Sequence, residues 1–473
     1  MSLADLEARV AHDLTMLDHH APDWVRARDD VIDVVIVGGG QSGLGAAFAL
    51  QRERVSNVLV IDENPAGFEG PWDTYARMRT LRTPKQLTGI DLGVPSLTFR
   101  AWWEAQHGAD GWEALGKIAR ADWMAYLRWY RRVLDLPVRN GVRLDLITPL
   151  AGGVYRLDLS DGSVLTARKV VLATGIQGGG QWHVPRFVSE ALPRGRYAHT
   201  SETVDYGARK GKRIAILGGG ASAFDNAAAA LESGVAAAHV FIRRAELPRV
   251  NPIRFMERAG VMPRFPALDD ATKYEIMASF FDRNQPPTSD MFDHAASFAG
   301  FALHSGSPWL EVAERDGAER DGVVKVTTPK GVFDYDFLVL STGLVTDPAL
   351  RPELALVADG IARWGDRYAA PAGIANKVID AHPWLGPDFR FQPKRPEDAA
   401  ALHGLFAFNY SALISHGLSA SALSGLKFAL PRLARGVADQ LFLDDGQAIL
   451  ADYHAFDEQE FVSVWPAARE AAA

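Results

Sequence analysis

Two glycine-rich turns carry the clearest chemistry in this chain. In "DVVIVGGGQSGLGAA" (33–47), Gly38, Gly40 and Gly43 stand in GxGxxG spacing. The first glycine permits a tight turn, the second lets a pyrophosphate approach the backbone, and the third lets helix and strand pack closely. The unpaired amides of the helix that opens at Gln41 and Ser42 then face the anion. "RIAILGGGASAFDNA" (213–227) repeats the pattern with Gly218, Gly220 and Ala223, its helix opening at Ala221 and Ser222. The ends of the following strands differ. Asp62, closing "NVLVID", can accept from ribose hydroxyls, and Glu63 beside it is the alternative ribose ligand. The matching position in the second unit is Ile242, followed by Arg243 and Arg244. A carboxylate repels a 2′-phosphate, whereas an arginine fork holds one. One chain is therefore expected to bind two unlike dinucleotides, FAD at the first turn and NADPH at the second. Two such sites imply electron transfer between them.

The elements that must position these turns are readable on either side of them. "VIDVVIV" is a β-branched run without alternation, apolar apart from Asp33, of the kind buried in parallel sheets, and a small-residue helix and a second strand follow it. "KRIAIL", "ASAFDNAAAALESG" and "AAHVFIRR" repeat that order. Each unit is followed by a hairpin and a buried strand that closes in Thr-Gly: "VVLATG" ends at Thr174 and Gly175, and "LVLSTG" ends at Gly343. The repeat predicts an α/β fold with two Rossmann-like dinucleotide-binding domains, the NADPH domain inserted into the FAD domain. The expected spans are a helical extension at 1–30, the FAD domain at 31–205 and 335–473, and the NADPH domain at 206–334. A helical insert at 251–310 and loops at 344–404 are expected on the substrate side, with a C-terminal helix after them.

"GGGQSG", "ATG", "GGGASA" and "STG", in this order, resemble the two-dinucleotide flavoproteins. "DENPAGFEGPW" resembles the Gly-x-Trp segment of class B flavin monooxygenases, and "GRYAHTSE" resembles the G-x-x-x-H core of their linker fingerprint. Pro193 stands where that family usually has an aromatic residue, and Thr203 stands where it usually has Trp or Tyr. The resemblance implies that NADPH reduces FAD. The flavin then forms a C4a-(hydro)peroxide and one oxygen atom enters a small organic substrate. A nucleophilic nitrogen or sulfur is the expected target, because no Lys-Arg pair of the Baeyer–Villiger kind stands before the second Thr-Gly strand. Ketone oxidation and a non-oxygenating NAD(P)H:acceptor reductase are the alternatives. By the same resemblance, His199 sits at the linker and supports nicotinamide placement, Trp72 lies near the flavin ring, and Arg82 borders it. Ser415, His416 and Gly417 are expected before a helix whose positive end meets the flavin, with Asn409 as a polar neighbour of the ring.

Bulk properties narrow the class. The chain has 473 residues, enough for about two to four domains. Hydrophobic residues make up 48% and charged residues 23%, an ordinary globular profile. A net charge of -8 gives no reason to expect nucleic acid or an anionic membrane as partner. There is no cysteine, which excludes a disulfide-reductase redox pair, and the 13 histidines show no metal-ligand spacing. No stretch approaches the length needed to span a bilayer, and the N-terminus lacks the pattern of a secretory signal. The expected setting is cytoplasmic, with molecular oxygen and a small molecule as partners and room for a homo-oligomer.

Overall fold

The computed structural model describes residues 2–314, 322–420 and 422–461. Its first sheet contains β1 (Ile32–Val37), β2 (Val58–Asp62), β3 (Val138–Asn140), β4 (Leu144–Leu150), β5 (Val154–Leu159) and β6 (Val164–Leu172). They lie in the order β3-β2-β1-β6-β5-β4. A late strand, Leu405–Ala407, adds to β6 in parallel. The ladders among β3, β2, β1 and β6 are parallel, and β4, β5 and β6 form antiparallel pairs. Helix Gln41–Arg52 packs against the long helix Leu423–Asp444. Gly45 permits the close crossing, because a Cβ there would lie 2.6 Å from Leu430.

A two-stranded antiparallel ribbon links this sheet to the next: β7 (Gly180–Trp182) pairs with Leu344–Thr346. The second sheet is wholly parallel. It contains β8 (Tyr197–His199), β9 (Arg213–Leu217), β10 (Ala237–Phe241), β11 (Phe301–His304) and the strand Phe337–Leu340. Three strands of a separate antiparallel sheet, β12 (Glu311–Glu314), β13 (Val324–Thr328) and β14 (Gly331–Tyr335), lie beside it. We number the remaining strands β15 (Phe337–Leu340), β16 (Leu344–Thr346) and β17 (Leu405–Ala407).

The ladder reaches outside the span 206–334. Both β8 and β15 join the second sheet, because Leu338 pairs with Ala215 on one side and Tyr197 on the other. The segment 251–310 is helical over Pro252–Met256, Val261–Arg264, Asp270–Arg283 and Ser289–Ala296, but it ends as β11. Phe301 and Leu303 supply the β-forming residues that register against β10. The N-terminal helix, Leu3–Met16, starts with a capping box between Ser2 and Asp5 and buries Leu6, Val10 and Leu14 along one face. No helix among the described residues is long and apolar enough to cross a membrane.

At the foot of the first sheet, away from both turns, two cations from β6 are fully buried. Arg168 pairs with Asp445 at 3.0 Å and Asp33 at 3.4 Å, and Lys169 pairs with Asp444 at 2.7 Å. Burial alone would raise the Asp444 carboxyl. Hydrogen bonds from His403 and Lys169 outweigh it and hold the group at about 2. Its contribution to stability is therefore complete above the ordinary carboxylate range and disappears as pH falls through about 2. Removing one partner of a buried pair leaves a desolvated charge behind. Asp445→Ala should lower the unfolding free energy by about 3 kcal/mol in urea denaturation; a loss below about 1 kcal/mol would show that Arg168 does not depend on this partner.

Candidate active site

The first turn is built by backbone crowding. Gly38 adopts φ 106°, and a Cβ on it would lie 2.6 Å from the Ala173 carbonyl oxygen at the end of β6. A Cβ on Gly43 would lie 1.8 Å from Gly38 O. Gly40 differs from both. Among the described residues no atom outside its own chain neighbours comes closer than 3.8 Å to its Cβ position, and no side chain caps the helix that follows. That leaves an open cradle beneath uncapped amides, which fits a pyrophosphate.

Asp62 turns into this cradle. Its carboxylate accepts from Gly39 N at 2.7 Å, Asn64 N at 2.8 Å and Asn64 Nδ2 at 3.0 Å. Burial raises its pKa. Glu63 is exposed and accepts from Gln177 Nε2 at 3.3 Å. A cavity of about 250 Å³ opens beside Gly39 and Gly40. Met124, Leu127, Arg128 and Arg131 line it from one helix, at the spacing of a single helical face. Arg131 donates to Glu69 at 2.6 Å and to Asn140 at 3.0 Å, so Glu69, itself buried, anchors the wall. The Trp and Tyr residues of this helix fall at helical spacing and read from sequence as core or interface, not as a binding wall. Arg131 on the Met124–Leu127 face was the available signal.

Residues 174–178 and 409–411 are tied together. Asn409 donates to Thr174 Oγ1 at 3.1 Å and Gly178 O at 3.2 Å, and it accepts from Ser411 N and Oγ. Tyr410 N donates to Gly175 O at 3.1 Å. All polar positions of the Asn409 amide are thus engaged within the chain.

The following stretch departs from expectation. Ser415 and His416 belong to a short helix, Leu413–His416, which Gly417 ends at φ 66°; the long helix begins only at Leu423. Ser415 Oγ accepts from Trp364 Nε1 and Leu385 N, both at 3.1 Å. His416 Nε2 bonds Gly386 O at 2.9 Å, its ring stacks on Phe389 at 3.9 Å, and burial drives its pKa down to about 3. Trp72 is buried in the core of the first unit, and Arg82 pairs with Asp225 on the helix after the second turn. Arg82 therefore reaches the second unit.

The second turn repeats the first in its geometry. Gly218 adopts φ 128°, and a Cβ there would lie 2.2 Å from Ser341 O at the end of β15. Nothing lies within 4 Å of a Cβ on Gly220, and helix Ala221–Glu232 has no side-chain cap. Ser222 Oγ meets Ser341 Oγ at 2.6 Å, and Ala223 is fully buried against the sheet. Arg243 is exposed, while Arg244 donates to Asp282 O.

His199 stands on β8 where the units join. Ser201 N donates to its Nδ1 at 3.1 Å, which puts the proton of the neutral ring on Nε2. That Nε2 is buried and makes no full hydrogen bond among the described residues, although the Gly343 backbone acts on the ring and favours its protonated form. Burial drives the ring's pKa down to about 4, so it is neutral at pH 7. Trp182, in the connecting ribbon, lies 5.0 Å from His199 between ring centroids, with Tyr75 at 6.4 Å from Trp182. Neither aromatic stood out in the sequence, because neither falls in a motif.

The two cradles make a direct expectation. Gly43→Ala pushes a methyl into Gly38 O without touching any other site, so the purified protein should lose its flavin absorbance and bind added FAD at least about tenfold more weakly. Retention of full FAD occupancy would show that the turn does not hold the pyrophosphate.

Known proteins resemble this chain in both sequence and fold. A family model described as FAD-NAD(P)-binding matches residues 35–177, and one described as L-lysine 6-monooxygenase/L-ornithine 5-monooxygenase matches 114–276. The FAD-dependent urate hydroxylase of Xanthomonas campestris is 65% identical over 478 residues, covering 100% of both chains. Ornithine hydroxylase (PvdA) of Pseudomonas aeruginosa shares the fold with a TM-score of 0.67 at 19% identity, over 87% of this chain and 100% of its own. Ornithine N-hydroxylase of Kutzneria sp. 744, solved with reduced FAD, NADP+ and L-ornithine, gives a TM-score of 0.64 at 17% identity, over 87% of this chain and 99% of its own. These agree with the expected α/β two-dinucleotide fold, with FAD and NADPH as cofactors and with the class B resemblance. The chain belongs to the flavin-dependent monooxygenase family that contains the FAD-dependent urate hydroxylase of Xanthomonas campestris.

Proposed function

We propose that this monooxygenase uses NADPH to insert one oxygen atom into urate. The observation that carries the reading is full-length identity of 65% to a urate hydroxylase, in a chain that keeps both open glycine cradles. Urate offers ring nitrogens and an electron-rich carbon–carbon double bond to an electrophilic oxygen, so the way it is presented decides which atom reacts. Bound FAD supplies the redox and oxygen-transfer chemistry.

The chain's own groups have positional work. Gly38, Gly40 and Gly43, with the amides of Gln41 and Ser42, receive the FAD pyrophosphate. Asp62 braces that turn through Gly39, which leaves exposed Glu63 better placed for a ribose hydroxyl. Gly218, Gly220 and Ala223, with Ala221 and Ser222, receive NADPH. Thr174, Gly175 and Asn409 are tied together at the strand end after the first turn and would border bound FAD, and Gly343, at the matching strand end of the second unit, would border bound NADPH. Trp72, packed in the core of the first unit next to Gly70, would border bound FAD and exclude water there. Ser415, His416 and Gly417 hold the short helix in place and make no cofactor contact in this reading.

His199 is a positioning residue. Its neutral ring holds one Nε2–H donor at the junction, for the nicotinamide side of the site, and packs on Trp182. Because its pKa lies near 4, no inflection from this group is expected in the rate of flavin reduction between pH 5.5 and 8. Below that range protonation must break the buried arrangement, and stability falls as pH drops from 6.5 through about 4.

The reading is tested by mixing enzyme, NADPH and air with urate, L-ornithine, L-lysine, a thioether and a cyclic ketone. Urate should stimulate oxygen uptake and suppress hydrogen peroxide release, and the others should not. Equal, uncoupled NADPH consumption with every compound would instead favour the acceptor reductase. In stopped-flow reduction under anaerobic conditions, His199→Ala should slow hydride delivery by about ten- to a hundredfold with FAD content intact. An unchanged rate would remove His199 from the site.

A further inference from the structure

The helix Gly446–Ala455 has no buried residue, although Leu450 and Tyr453 stand three apart on it. It has 10 residues, and a helix shorter than about 12–15 is marginal in water unless an apolar face packs on something. It turns off the long helix Leu423–Asp444 at Asp445 and is tied to the first unit by the Arg26–Asp452 ion pair. Its apolar side chains stay in solvent: Tyr453 is 75% exposed, and Phe456, just past its end, 67%.

The last turn of the long helix extends this surface with Phe442 and Leu443, the latter 73% exposed. Trp24 meets Phe442 edge-on at 6.0 Å between ring centroids, and its indole N–H is fixed on Glu53 O at 2.8 Å. With Leu450, these side chains expose on the order of 700 Å² of apolar surface in one patch, estimated from the size of such groups. Monomers leave patches of about 300–600 Å², and a specific interface takes about 800 Å² from each partner. The corner beneath is firmly seated, because Asp444 and Asp445 hold the buried cations of β6.

Charge around the patch is self-complementary. Arg435 stands seven residues before Phe442 on the same helical face, exposed and with no ion-pair partner among the described residues. From Arg435 to the corner at Asp445 the long helix runs about 15 Å. The short helix runs about 15 Å from the same corner. Asp457, Glu458 and Glu460 follow it, exposed and without cationic partners among the described residues. A two-fold axis bisecting the corner lays each copy's short helix along the other's long helix. That operation stacks the two apolar patches and brings each Arg435 to the acids of the other copy.

We infer that this corner is the contact surface for a second copy of the same chain, in an isologous dimer. The corner lies at the foot of the first sheet, so the dimer leaves both nucleotide cradles open.

The test is sedimentation equilibrium of the flavin-loaded full chain. The native protein should show twice the mass of one chain. Leu443→Glu combined with Tyr453→Glu should halve that mass, with flavin content and the rate of flavin reduction by NADPH unchanged. Arg435→Glu should weaken association by at least about tenfold. Adding Asp457→Lys, Glu458→Lys and Glu460→Lys to Arg435→Glu should restore it, a rescue that a folding defect cannot produce. A monomeric native protein overturns the inference; if that monomer binds an apolar dye only after residues 462–473 are deleted, the tail is the occupant instead. A dimer that persists in the Leu443 and Tyr453 double variant puts the contact elsewhere and overturns it as well.

Discussion

A single steric constraint, used twice, shapes this molecule. In each unit the backbone at the end of a central strand presses on the first glycine of the nucleotide turn. Ala173 O would lie 2.6 Å from a Cβ on Gly38, and Ser341 O would lie 2.2 Å from one on Gly218. No other residue type fits either contact. The crowding aims the second glycine of each turn outward, toward empty space, at the mouth of an uncapped helix. Everything the sites can do follows from that geometry: the strands are buried and rigid, the amides are free, and the anion finds a prepared place.

The two units then have to face each other. The ribbon of β7 and β16 carries the chain across in both directions, and Trp182 on it packs against His199 on β8. Ion pairs close the other flank. Arg82 meets Asp225, Arg79 meets Glu232 at 3.3 Å, and Lys117 meets Asp290 at 2.8 Å. Most of these groups keep some contact with solvent, so each is weakly stabilising alone. Asp225 is the exception: it is largely buried, and burial pushes its carboxyl up to about 6 even with Arg82 beside it. Lower down, Met256, Phe265, Tyr274 and Met277 from the helical segment share a core with Trp364, Leu413 and Ile414. Within that shared core Ser415 Oγ meets Trp364 and Leu385 and His416 Nε2 meets Gly386, so both side chains hold the short helix in place.

Buried polar groups around the first turn and the strand end after it are well satisfied. Asn409, Glu69 and Asp62 are buried, and each has its oxygens met by backbone or side-chain donors. His199 Nε2, at the junction of the units, is one of several buried side-chain atoms that make no hydrogen bond among the described residues, with His382 Nε2, His416 Nδ1 and Trp309 Nε1 among the others. An unpartnered donor is costly in a dry place, and such exceptions cluster where a protein binds something.

The order of strand, glycine turn, helix and Thr-Gly strand could be read from the chain because each is a local pattern with a local cause. A continuous β-branched run is buried on both faces, and glycine is required where φ is positive or a Cβ would collide. The absence of cysteine and the exchange of Asp62 for Ile242 and two arginines were equally local. Tertiary structure decided what local patterns cannot encode. It placed β8 and β15 in the second sheet through pairing across long sequence separations. It turned Arg82 to Asp225 and Arg244 to Asp282, and it brought Lys330 beside Ser305. It also built a short helix through Ser415 and His416, ended by Gly417, ahead of the long helix that begins at Leu423. A side chain's type announces what it could bind, but its partner is chosen by whichever group the completed fold brings within about 3 Å, and that distance exists only in three dimensions.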